Sequence, residues 1–302
     1  MINTKPNLKS TFKACLYISP LLIITCIFTI WPLFQSILMS WYTRYNYYTG
    51  QVHALGWANF IYLWHDATFH LAIRNTLIFV LGVVPITVSL ALGIAIGVTR
   101  MTHFNRLLQT IYFLPFVTSS IAITMVWRWL FRFDNGLLNT LLNTVGVHPI
   151  NWLNDPHYSL FALIVVCIWH NLGLNIILFL ASLSQIDHRY YLTAQLDGAS
   201  NWQQFTLITW PLLMPMIILV TINAIITNFK VFDQVYALFN GHAGPANADL
   251  TMMYYLYQKF YVENQPAIAA ASGVVLFGFI IFLTILTTIY LRHQSRRFWE
   301  VH

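Results

Sequence analysis

The side chains able to take part in chemistry are few, and they fall into two sets. Asn171 and Asn175 stand one helical turn apart beside Trp169 and His170, and Asn223 and Asn228 lie on a later apolar run that ends at Lys230. Amides bind hydroxyls and aromatic faces bind sugar rings, so Trp169, Asn171, Asn175, Asn223 and Asn228 are candidates for lining the path of a sugar. The same amides have a second reading, as hydrogen-bonding glue between helices in lipid. The other set lies in the polar stretch Ile186–Pro215, IDHRYYLTAQLDGASNWQQFTLITWPLLMP, with Asp187, Asp197 and a central Gly198 between two long apolar runs. Two spans need only a short turn between them, so a loop of this size asks for a partner.

Enzyme chemistry finds little footing. The eleven histidines are scattered, no HExxH is present, and His65 and His70 are five residues apart in one segment. Apart from Asp187 and Asp197, every acid lies in the segments read below as outer or at the tail, so no acid faces a base across spans as general acid–base catalysis requires. No Gly-rich phosphate loop is present, so the chain does not hydrolyse ATP itself. Cys15, Cys26 and Cys167 sit in apolar runs without metal spacing and read as small hydrophobes.

These residues must be positioned by membrane helices. Of 302 residues 58% are hydrophobic and 8% charged, against about 25% charged in soluble domains. A spanning helix needs about 20 apolar residues, and six stretches lack charge for that long: 14–43, 75–99, 107–127, 159–186, 207–229 and 267–291. The expected fold is all-α, a polytopic membrane protein of six transmembrane helices in a single domain, 1–302. Lys5, Lys9 and Lys13 precede the first run, which is too long for a signal peptide and lacks a small-residue cleavage site, so it is expected to be retained.

Charge sets the expected orientation. With both termini cytoplasmic, the inner segments hold nine bases (Lys5, Lys9, Lys13, Arg100, Arg106, Arg189, Arg292, Arg296, Arg297) and three acids (Asp187, Asp197, Glu300). The outer segments, about 44–74, 128–158 and 230–266, hold six of each, so the net charge of +6 lies inside. That explains the basic balance without nucleic acid. Trp41, Tyr42, Tyr45, Tyr47, Tyr48, Trp57 and Trp64 crowd the first outer segment, as an interfacial belt or as a platform for a protein or sugar. Short surface helices are expected at 59–64 and 136–145. Arg128 and Lys230 are expected to snorkel, with Asp233 able to pair with Lys230.

The polar loop has its own local code. A short helix is expected through His188–Gln195, closed by a left-handed Gly198. Ser200 with Gln203 fits a capping box for a second short helix, 201–207, and Asp197 is placed to accept backbone N–H groups at the bend. Pro211 and Pro215 bend the span that follows.

With these residues in view, the stretch resembles the EAA loop of ABC importer permeases: Ala194, Leu196, Asp197, Gly198, Ala199, Trp202, Phe205, Ile208 and Pro211 match its pattern. Tyr17-Ile18-Ser19-Pro20 with Trp31-Pro32, Leu55-Gly56-Trp57-Ala58-Asn59-Phe60, and Gly244-Pro245-Ala246-Asn247 ahead of Thr251, Tyr254, Tyr257 and Phe260 resemble the binding-protein-dependent sugar permeases of the maltose and glycerol-phosphate type. The resemblance runs nearly the whole chain in order. It implies a type I importer permease in a prokaryotic cell membrane, with a coupling loop at 187–206 set into an ATPase cleft. It also implies a second permease subunit, two ATPase subunits carrying ATP and Mg, and an extracytoplasmic solute-binding protein, with no cofactor or metal on this chain.

Leu192, Thr193, Ala194, Asp197, Gly198, Ala199 and Phe205 are then the coupling residues. Leu192 stands where that family has the Glu of its motif, Thr193 replaces an Ala, and Asp187 replaces a Pro. The lost Glu removes a charge-assisted contact, which implies a heteromeric partner with the more typical loop. Two alternatives compete: a secondary transporter or channel, which usually keeps charge within its spans, and an ABC permease for a non-sugar solute.

Overall fold

The computed structural model describes residues 8–43, 45, 49–99 and 114–301, with side chains from 15 to 292 within those ranges. The described residues are mostly helical, with one two-residue strand pair, Tyr42–Thr43 (β1) against Ala54–Leu55 (β2). Two compact units divide the chain, Met1–His65 with Leu256–Val274, and Asp66–Tyr255 with Val275–His302.

In the first unit, α1 (Leu8–Thr25) and α2 (Trp31–Ser40) join through a π turn, Cys26–Ile30. Asn59 on α3 (Ala58–His65) ties the end of α2 to the strand pair, its amide donating to the carbonyls of Ser40 at 2.9 Å and Tyr42 at 3.0 Å. Trp41 meets Trp57 and Phe60 edge-on, so two of the expected belt residues, Trp41 and Trp57, join Phe60 in one aromatic cluster. Tyr47 and Tyr48 lie outside the described residues. Lys259 is buried in this unit, ion-paired with Glu263 at 2.7 Å and hydrogen-bonded to Tyr62.

The second unit is built on α4 (Ala67–Thr99), α5 (Ser120–Leu130), α6 (Leu137–Thr144), α7 (Pro156–Leu183), α8 (His188–Leu196), α9 (Asn201–Gln204), α10 (Trp210–Phe229) and α11 (Asp233–Leu238), with most of α12 (Met252–Tyr257), whose last two residues fall in the first unit. The last helix, α13 (Pro266–Val301), begins in the first unit and ends in the second. Five helical stretches among the described residues are long and apolar enough to cross a membrane: Cys15–Ser40, Ala67–Thr99, Pro156–Leu183, Asn201–Phe229 and Pro266–Arg292. The expected third span, 107–127, lies partly outside the described residues, and its described end is α5. The second span starts eight residues before the charge-free run at 75, because the helix carries Arg74 on its exposed side and Asp66 caps it by accepting from the Thr68 N–H at 2.9 Å.

Ala91, Leu92 and Ala95 of α4, Ile176 and Phe179 of α7, and Leu213, Ile217 and Val220 of α10 form one buried cluster. The small alanines of α4 let the bulkier side chains of the other two helices close against it. In lipid the gain comes from dense van der Waals contact rather than from leaving water.

Prolines leave a common signature. Each π turn ends two to four residues before one: Cys26–Ile30 before Pro32, Phe205–Thr209 before Pro211, Gln258–Val262 before Pro266. A proline ring has no N–H to donate and collides with the carbonyl four residues earlier, and a wider turn moves that carbonyl aside. At Pro32 and Pro211 the helix continues unbroken, whereas ahead of Pro266 it stops for residues 263–265.

Candidate functional site

The loop after α7 folds largely as its sequence predicts. Helix α8 ends at Gly198, whose φ of +77° is the left-handed closure. The Ala199 N–H reaches back to the Ala194 carbonyl at 2.8 Å and the Gly198 N–H to Gln195 at 3.1 Å, the bond pair of a Schellman motif. Ser200 and Gln203 close the capping box in both directions, at 3.3 and 2.7 Å. Two details differ. The aspartate that caps is Asp187, which accepts from the Arg189 N–H at 2.9 Å at the start of α8, while Asp197 ends the helix as an exposed residue with no such bond. An acid at a helix N-terminus finds orphan donors there, and at the C-terminus it finds only carbonyls. The second helix is also not separate: α9 runs through the π turn into α10, so the fifth span begins at Asn201 rather than 207.

The bend is braced from inside. The Tyr191 and Thr209 hydroxyls lie 2.8 Å apart, and the buried Gln204 amide donates to the Ala199 carbonyl at 2.9 Å. Phe205 is half-buried between Trp202 and Trp210. Behind the bend, a cavity of about 480 Å³ is lined by Ile96 and Thr99 of α4, Leu183 of α7, and Tyr191, Gln204 and Thr209. Outward, the loop shows apolar surface: Leu192 is 48% exposed, Leu196 88% and Trp202 71%. Thr193 is exposed with its hydroxyl turned back on the Arg189 carbonyl, and Ala194 and Ala199 are half-buried at the turn. Leu183, Ile186 and Trp210, at the two ends of the loop, rest on the three-helix cluster. A force on Leu196 or Trp202 therefore enters α7 and α10 together.

The amides separate into two groups. Asn171 on α7 donates to the Asn228 Oδ1 at 3.3 Å, and Asn228, buried on α10, donates to the Ala224 carbonyl at 2.8 Å. Asn175 is buried one turn along. Asn223 instead is exposed, on a stripe with Pro215, Leu219 and Thr227 at four-residue spacing. Trp169 is 39% exposed and meets Trp127 edge-on at 5.7 Å.

Three features were not anticipated. Leu196 and Trp202 fit the loop motif by residue type, and nothing in that pattern announces their exposure. Arg128, expected to snorkel, hydrogen-bonds Asn240 and lines a cavity with Arg132. Asp249 is fully buried, with neither carboxyl oxygen accepting a hydrogen bond. No ion pair joins Lys230 to Asp233 among the described residues; Asp233 opens α11, where an acid meets free N–H groups.

A long apolar helical bundle with a braced, outward-facing polar loop has the form of a transport protein's membrane subunit. The chain belongs to the family of binding-protein-dependent transport system inner membrane components, whose model matches residues 89–300. It is similar to the lactose transport system permease protein LacF of Rhizobium radiobacter, 32% identical over 285 residues and 93% of each chain. It is also similar to the arabinooligosaccharides transport system permease protein AraP of Bacillus subtilis (strain 168), 29% identical over 90% of this chain and 86% of that one. Among solved structures, a chain of a bacterial ABC transporter that imports the acidic polysaccharide alginate superposes with a TM-score of 0.77 at 23% identity, covering 96% of this chain and 97% of that one. A chain of a bacterial alginate ABC transporter in complex with an alginate pentasaccharide-bound periplasmic protein gives 0.79 at 22%, covering 96% of each.

Proposed function

We propose that this chain is one of two membrane subunits of an ATP-driven importer for a sugar or oligosaccharide. The observation that carries it is the loop 187–206: a capped helix, a Gly198 turn and apolar side chains held outward on a rigid base. Such a surface is suited to burial in a cleft of an ATP-hydrolysing partner, with ATP and Mg on that partner. The bundle is then completed to six spans, the two termini and the loop face the cytosol, and a solute-binding protein delivers from the other side. Helix α7 is about 42 Å long at 1.5 Å per residue, more than the roughly 30 Å hydrocarbon core. Its two ends therefore belong to opposite faces.

Motion would start at the loop. Displacing α8 tilts α7 and the start of α10 as a pair, because the loop ends rest on their shared cluster with α4. The exposed stripe Leu219, Asn223 and Thr227 turns from apolar to polar along α10, the pattern of a wall shared by lipid-depth contacts and a hydroxyl-rich solute. Asn171 and Asn228 hold the helices; Asn223, with Trp169, is the better candidate for the path. The names of the lactose and arabinooligosaccharide relatives support a sugar over another solute, and spans without an acidic residue, their arginines Arg74 and Arg292 lying toward span ends, argue against ion coupling. The test is to purify the intact assembly, identify its chains, and measure its ATPase with the binding protein against a panel of sugars. Stimulation by a sugar-loaded binding protein is expected; an assembly lacking an ATPase chain overturns the reading.

A further inference from the structure

The face opposite the loop carries a second concavity. It measures about 630 Å³ and is lined by Arg128 and Arg132, with Asp134, Asn154, Asn240 and His242 around them. Arg128 stands in the last turn of α5 and Arg132 follows one turn later, and both line the same space. Arg128 is oriented by Asn240, a neutral acceptor that leaves its charge uncompensated. Neither arginine makes an ion pair among the described residues, although Asp134 lines the same cavity. The sides come from the segment before α7 (Asn154) and the segment after α11 (Asn240, His242). The floor includes Gly244, where φ is +75° and a Cβ would collide with the Asp249 carboxyl beneath.

We propose that this cavity receives acidic side chains of the solute-binding protein, with Arg128 and Arg132 as the paired anchors. The inference rests on the importer reading above and adds the contact surface. Guanidinium groups bind carboxylates through two parallel hydrogen bonds, and two such groups one turn apart present a forked, positive socket that a neutral sugar would leave unpaired. The socket is open rather than enclosed, and it lies at the N-terminal end of α7, where a delivering protein must sit if the loop at the other end meets the ATPase. Charge at such a rim governs encounter and its salt dependence.

The experiment uses the complete assembly in lipid nanodiscs, titrated with its sugar-loaded binding protein while ATP hydrolysis is followed. The variants are Arg132→Gln and the double variant Arg128→Glu with Arg132→Glu, each checked for intact assembly by size exclusion. The double variant is expected to raise the half-saturating concentration of binding protein at least tenfold at low salt, with basal and maximal hydrolysis unchanged. Arg132→Gln is expected to give a smaller rise in the same direction, and half-molar salt to bring wild type and variants together. Equal half-saturation in all three proteins overturns the proposal while leaving the importer reading intact. A wild-type assembly that its binding protein does not stimulate overturns both. Lowered basal hydrolysis that disappears in nanodiscs free of anionic lipid assigns the cavity to a lipid phosphate and overturns it as well.

Discussion

The hydroxyls of Tyr191 and Thr209 meet at 2.8 Å across the bend of the loop, eighteen residues apart in sequence. That bond joins α8, which carries the outward apolar side chains, to the π turn that feeds α10. It makes the loop and the fifth span one mechanical piece. Tyr191→Phe and Thr209→Val should each cost about 0.5–1.5 kcal/mol of that joint. The double variant should cost no more than either alone, because one shared bond is lost once. The readout is sugar transported per ATP hydrolysed; additive losses would show that the two hydroxyls act separately.

Leu192 is half exposed on α8, at the position where the resembled family has a Glu. Leu192→Glu should raise ATPase stimulation if the partner's cleft keeps a basic group there, and Gly198→Ala should lower it. The φ of +77° at Gly198 costs an L-residue about 1–2 kcal/mol. Stimulation untouched by both changes would remove the docking role of this loop.

How far the sequence reached depends on which residues act locally. The capping box of Ser200 and Gln203 and the turn at Gly198 are decided within a few bonds, and both form as written. The same is true of the short helices at α3 and α6. Asp197 and Asp187 looked alike as acids near a helix end; only the direction of the helix between them decides which one finds donors. The start of the fifth span was missed because the polar but uncharged residues 201–206 read as a separate surface helix, and a π turn let that helix continue past Phe205 into the span. The Arg128–Asn240 contact and the burial of Asp249 join residues far apart or depend on packing from several elements. No spacing rule could announce them.

Asp249 gives a pH prediction. Burial pushes its carboxyl from 3.8 up to about 7; the Ser159 hydroxyl faces it and offsets part of the rise without closing a hydrogen bond. An acid whose folded value is raised binds its proton more tightly folded than unfolded, so its contribution is whole below about pH 4 and is lost as pH rises through 7. The loss is as much as about 4 kcal/mol. Asp249→Asn, which stays neutral, should flatten the fall in thermal midpoint between pH 5 and 8. An unchanged slope would mean that this carboxyl does not titrate in that window.

The amides are separable by their burial. Asn228→Ala breaks the link to Asn171 and should lower assembly stability by about 0.6 kcal/mol, the usual worth of a hydrogen bond between membrane helices. Asn223→Ala, on the exposed stripe, should leave stability alone and change the sugar dependence of transport. Transport kinetics untouched by Asn223→Ala, in a normally assembled complex, would take that residue off the path.

The three-helix cluster should be the costliest place to cut. Phe179 is fully buried at its centre, and Phe179→Ala should destabilise by about 3–5 kcal/mol. Leu207→Ala, at a half-exposed position, serves as the control in the same thermal melt, and comparable losses for the two would argue that the cluster is not the base on which the loop rests.

The most direct measurement places a photo-crosslinking phenylalanine analogue at Leu196, the most exposed apolar side chain of the loop, in the intact assembly under membrane conditions. The account predicts a covalent adduct with the ATP-hydrolysing subunit. An adduct with the solute-binding protein, or with lipid alone, would contradict it.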